Sequence, residues 1–156
     1  MYTPLQLTWK YLNYWLTASN GKGHGTHSPF VFDFIANVLN DTRAISSATS
    51  IESCRRQFKS DARMIEVDDF GAGSGHLKKK QRRVSDIART SLKPVKYAQL
   101  LHRMVRHYQP GSILEIGTSL GITTQYLATG NPNANVYTLE GSSNIAAIAQ
   151  TGWQAN

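Results

Sequence analysis

Two spacings of apolar residues organise the chain. Up to Tyr108 they recur at three- and four-residue steps, as on the buried stripe of a helix; after Ser112 they gather into short runs between glycine and asparagine turns. Leu5, Trp9, Leu12, Trp15 and Leu16 predict a first helix, started by Thr3-Pro4 and ending near Asn20-Gly21, with its aromatic stripe as packing surface. Ser28-Pro29 starts a second, carrying Phe30, Phe34, Val38 and Leu39. Thr49-Ser50-Ile51-Glu52 has capping-box spacing and predicts a third, polar helix to about Phe58. Residues 60–83 are rich in Asp, Gly and Lys and read as a long mobile loop, with a short extended piece at Met64-Ile65-Glu66-Val67. Helical spacing resumes from Val84 to Leu92. Lys93-Pro94 then opens an amphipathic helix with Tyr97, Leu100, Leu101, Met104 and Tyr108, stopped by Pro110-Gly111.

From Ser112 the pattern predicts strand, glycine turn, helix, strand, helix: Ile113 to Ile116, Gly117 to Gly121, Ile122 to Ala128, Val136 to Leu139 and Asn144 to Gln150. Strands alternating with helices over short connections specify parallel βαβ units. The fold class expected is therefore α/β: a basic helical region over 1–109, then over 110–156 the first β-α-β-α of a doubly wound parallel sheet. Two parallel strands leave both sheet faces open, so such a domain is expected to continue beyond Asn156, and the chain reads as truncated.

Charge sharpens the division. All seventeen Lys and Arg lie between Lys10 and Arg106 with eight acids, a balance of +9, whereas His107 to Asn156 holds only Glu115 and Glu140. The basic part is either a solvated face or an attraction for an anionic partner such as nucleic acid. No apolar run approaches the length of a membrane span, and the N-terminus lacks a signal-peptide layout. Cys54 is the single cysteine, which fits a reducing cytoplasm and a small core residue.

The run Leu114-Glu115-Ile116-Gly117-Thr118-Ser119-Leu120-Gly121-Ile122-Thr123 resembles the first motif of class I S-adenosylmethionine-dependent methyltransferases, closest to the catechol and caffeoyl-CoA O-methyltransferase branch. A turn after the first strand must bring backbone close to its ligand, which a side chain beyond Cβ would block; Gly117 and Gly121 meet that need. The resemblance implies a Rossmann-like domain, S-adenosyl-L-methionine as cofactor and a small, hydroxyl-bearing acceptor. It also implies roles: Glu115 orients the cofactor's ammonium group, Thr123 with nearby amides at the helix start receives its carboxylate, and Thr118 and Ser119 of the turn are further cofactor-binding positions. Glu140, ending the second strand, accepts the ribose hydroxyls, with Gly141 and Ser142 on the adenine side. A nicotinamide-dinucleotide turn would want glycine at 119 and 122, where Ser119 and Ile122 stand.

Asp69-Phe70-Gly71-Ala72-Gly73-Ser74-Gly75 is a more literal match to a common form of the same motif, but a basic stretch follows it in place of an apolar helix. It reads as a flexible loop, one able to close over the site. His24 and His27 lie among three glycines; without a third ligand they are a weak metal signal, and the readings left are helix capping or a lid-borne base. Together, His24 to Phe30, Asp69 to Ser74 and the Glu115 motif resemble bacterial methyltransferase-like proteins of unassigned substrate. No catalytic base or metal ligand is assigned, because the resembled enzymes take these from later strands. The alternatives are a helical nucleic-acid-binding module and an inactive cofactor-binding fragment. An unpaired edge after Leu139 also suggests a homodimer.

Overall fold

The computed structural model describes residues 3–17, 27–68 and 81–154. The chain divides into two compact units, Met1–Thr42 and Arg43–Asn156. In the first, α1 (Pro4–Thr17) begins with a capping box: Thr3 Oγ1 accepts from the Gln6 amide, and Gln6 Oε1 accepts from the Thr3 amide. None of its residues is buried, so the stripe of Leu5, Trp9, Leu12, Trp15 and Leu16 faces outward rather than packing. α2 (Pro29–Phe34) is capped by Ser28, whose hydroxyl accepts from the Val31 amide, and runs on into a π-helical turn, Ile35–Leu39, that buries Val38.

The second unit opens with α3 (Ala48–Ser60), whose buried face is Ile51, Cys54, Arg55 and Phe58. The Thr49–Glu52 box does not form. Ser47 is the N-cap, and Glu52 is engaged elsewhere, with Arg55 and Tyr126. Burial raises the Cys54 thiol pKa above its ordinary value and leaves it a core residue. Within the segment read as a loop, β1 (Met64–Glu66) pairs antiparallel with β2 (Gln81–Arg83), Met64 opposite Arg83. α4 (Val84–Ser91) and α5 (Val95–Tyr108) follow.

α5 only half-buries the face its large residues suggest, at Leu100, Leu101 and Met104. Its buried positions are Ala98, His102 and Val105, while Tyr97 and Tyr108 are exposed. The reason is close packing on α6 (Ile122–Gly130): a Cβ at Gly130 would stand 2.8 Å from Val105 Cβ and 2.9 Å from the His102 carbonyl. A seam that tight admits small or flat groups and turns the aromatics outward.

β3 (Ser112–Ile116) and β4 (Asn135–Leu139) are parallel, in register from Ser112 opposite Asn135 to Ile116 opposite Leu139, and α7 (Ser143–Gln154) follows. Ile113, Glu115, Val136 and Thr138 share the face toward α6; Leu114, Ile116, Tyr137 and Leu139 share the other and are between 58 % and 82 % exposed. Within the larger unit one core joins α3, α4 and α5 to the β-α-β-α that follows, with Ile51, Val84, Ile87 and Ala98 packed among Leu120, Ile122, Tyr126, Ile145 and Ile148. The fold is mixed α/β around a parallel strand pair. No helix among the described residues is long and apolar enough to cross a membrane.

Candidate functional site

The glycine turn is fastened to the end of the neighbouring strand. The amides of Gly117 and Thr118 both donate to the Leu139 carbonyl, at 2.8 and 3.1 Å, so the turn leaves β3 directly over β4. Gly117 has φ +89° and Gly121 φ +72°, the left-handed region where glycine carries no penalty. Their reasons differ. A Cβ at Gly117 would meet nothing within 4 Å, which leaves open space in front of the turn. At Gly121 it would collide with Trp153, 2.9 Å from Cε2. The close approach to a ligand expected of both glycines is thus available at Gly117, whereas Gly121 answers to internal packing. Ser119, between them, also has positive φ, at +51°.

The two acids hold this geometry from either side. Glu115 Oε2 accepts from the hydroxyls of Thr124 (2.5 Å) and Thr138 (2.8 Å). Because the single Thr138 proton is used there, Thr118 is the donor in the 2.6 Å contact between the two threonine hydroxyls. Glu115 Oε1 has no bond among the described residues. Glu140 bridges the turn to the next helix: Oε2 accepts from the Ser119 amide at 2.7 Å and Oε1 from the Ser142 amide at 3.1 Å. A carboxylate offers about four lone-pair sites, so each oxygen keeps one for a further donor.

Glu115, Gly117, Thr118, Ser119 and Thr123 line one cavity of about 350 Å³. Gly121, Glu140, Gly141 and Ser142 do not line it, although Glu140 reaches it through Ser119. Ser142 is buried with its hydroxyl unpartnered, as is the Ser119 hydroxyl at the turn. Ser91, Leu92 and Lys93 also line this cavity, and sequence reading missed them. The Lys93-Pro94 helix break signals a loop there; only tertiary packing brings it beside the turn. Buried Arg55 secures it, Nη1 donating to the Lys93 carbonyl at 2.8 Å.

His24 and the Asp69–Gly75 run lie outside the described residues, and His27 is exposed. Among the described residues no three His, Cys, Asp or Glu side chains are placed to hold a metal ion. No protein-family model, curated protein or solved structure matches the chain.

Proposed function

We propose that this cavity binds S-adenosylmethionine and that the protein is a methyltransferase of Rossmann-like architecture acting on a small, hydroxyl-bearing acceptor. The observation that carries the reading is the pairing of an open glycine with two strand-end acids: Gly117 leaves room at the tip of β3, while Glu115 and Glu140 each keep acceptor capacity beside it. The unpartnered Ser119 hydroxyl adds a buried polar atom that a bound ligand would satisfy.

When bound, the sulfonium supplies a methyl carbon open to in-line displacement. The chain's own residues bind and orient. Glu115 Oε1 holds a cationic ammonium; the Thr123 hydroxyl and the first amides of α6, which have no partner within the helix, receive a carboxylate. Glu140 accepts from ribose hydroxyls with its remaining lone pairs. Lys93 is the cationic side chain among the described residues that line the cavity.

Calorimetric titration of the whole chain with S-adenosylmethionine and, separately, NAD tests the reading. Saturable heat with the first and none with the second is expected. The reverse result, or no heat with either, would overturn it.

A further inference from the structure

A second cavity lies in the larger unit, behind the glycine turn. It encloses about 440 Å³ against the start of α3, α6, β4 and Trp153, within the size range of small-molecule pockets. No lining side chain carries a charge; Ile51, Ala128, Val136 and the Trp153 indole give it apolar walls. Ser47 lines it too, with a buried hydroxyl that has no hydrogen-bond partner. Charged ligands would lose their hydration here without a counterion. A flat apolar body with one hydrogen-bonding group matches both the indole and the unmet hydroxyl.

Two links join this cavity to the first. Thr124 and Thr138 line it, and theirs are the hydroxyls that hold Glu115, which lines the first cavity. The Trp153 indole N–H donates to the carbonyl of Gly121, the last residue of the turn, at 3.4 Å. We propose that the second cavity is an effector site for a neutral aromatic molecule bearing one hydrogen-bonding group, and that its occupancy moves the glycine turn and changes affinity at the first cavity. The affinity change rests on the methyl-donor reading; the site and its link to the turn do not.

The probe is 4-nitrobenzyl alcohol, a neutral aromatic alcohol whose nitro group quenches indole emission. In a Trp9→Phe, Trp15→Phe background only Trp153 reports. Saturable quenching is expected, lost when Ala128→Phe fills the cavity in a variant whose circular dichroism is unchanged. Quenching that is merely collisional and linear, or that survives Ala128→Phe, would remove the site. The link is read without any methyl donor, from the amide resonances of Gly117 and Ser119, which should shift on probe binding in wild type and stay still in Ala128→Phe. Unmoved resonances at saturation would refute the link. Saturating probe should then change the S-adenosylmethionine dissociation constant about 5- to 150-fold, and Thr124→Val should reduce that change. An unchanged constant overturns the effector role. If S-adenosylmethionine fails to bind at all, the methyl-donor reading falls while quenching and amide shifts still decide the site.

Discussion

Gly117 and Gly121 share a backbone region but not a reason for being glycine, and the difference can be measured. Alanine at either position takes on the left-handed penalty of about 1–2 kcal/mol. At Gly117 that is all it meets within the protein, since no atom lies within 4 Å of the new methyl. Gly117→Ala should therefore lose about 1–2 kcal/mol of stability and much of its S-adenosylmethionine affinity, because the methyl enters the open space. Gly121→Ala must also displace Trp153, so its stability loss should be the larger of the two and should shrink in a Trp153→Ala background. Urea unfolding and calorimetry on the same samples separate the cases; equal stability losses would refute the assignment. Glu140→Ala removes the acceptor for two backbone amides as well as the proposed ribose contact. It should weaken S-adenosylmethionine by about 1–3 kcal/mol. Unchanged affinity in a folded variant would detach Glu140 from the site.

The α5–α6 seam shows what local pattern conveys and what it leaves out. Spacing located α5 well, but of the face read as Tyr97, Leu100, Leu101, Met104 and Tyr108 the three middle residues are half-buried and the two tyrosines are exposed. The deciding residue is Gly130 on the other helix, invisible to any window drawn on α5. Gly130→Ala should destabilise by about 1–3 kcal/mol through overpacking. Val105→Ala should recover part of that, because it removes the Cγ1 contact, and not all of it, because the Val105 Cβ and the His102 carbonyl remain. A double-mutant cycle reporting strict additivity would show that the helices separate freely. The same logic explains which elements were legible. β3, α6, β4 and α7 carry short apolar runs or helical spacing between glycine and asparagine turns, and each forms close to the span read from that pattern. β2 is Gln81-Arg82-Arg83, three polar residues whose pairing with Met64–Glu66 gives no apolar signature. At the site, Glu115, Gly117, Thr118, Ser119 and Thr123 meet because a strand, its turn and the following helix are contiguous. The Ser91–Lys93 wall comes from a separate loop, fixed by a guanidinium thirty-eight residues away.

At the scale of the molecule, that guanidinium belongs to a polar cluster inside the core of the larger unit. Arg55 on α3 holds the Lys93 carbonyl and pairs with Glu52 at 2.8 Å, and Glu52 accepts from the Tyr126 hydroxyl on α6 at 2.9 Å. One cluster thus ties α3, the loop before α5 and α6. Removing one partner of such a cluster leaves the others unsatisfied, so it is worth more to the fold intact than its exposed counterparts. Tyr126 supplies the readout. Burial, and then the bond to Glu52, push its phenol up to about 12. In the unfolded chain the same group titrates near ~10. A raised folded-state pKa means that the stabilisation is complete below about pH 10 and declines above it, because there the unfolded chain releases a proton that the folded chain retains. Stability should therefore fall by about 1.4 kcal/mol per pH unit between the two values, beyond whatever lysine titration contributes. Tyr126→Phe cannot show that component. At pH 8 it should be less stable than wild type by about 1–3 kcal/mol, because the Glu52 carboxylate loses a donor. As pH rises from about 10 toward 12 the gap should close. Urea unfolding of both proteins at pH 8, 10 and 11.5 follows the difference directly, and a gap that stays constant across that range would show that the phenol titrates no differently in the folded core than in water.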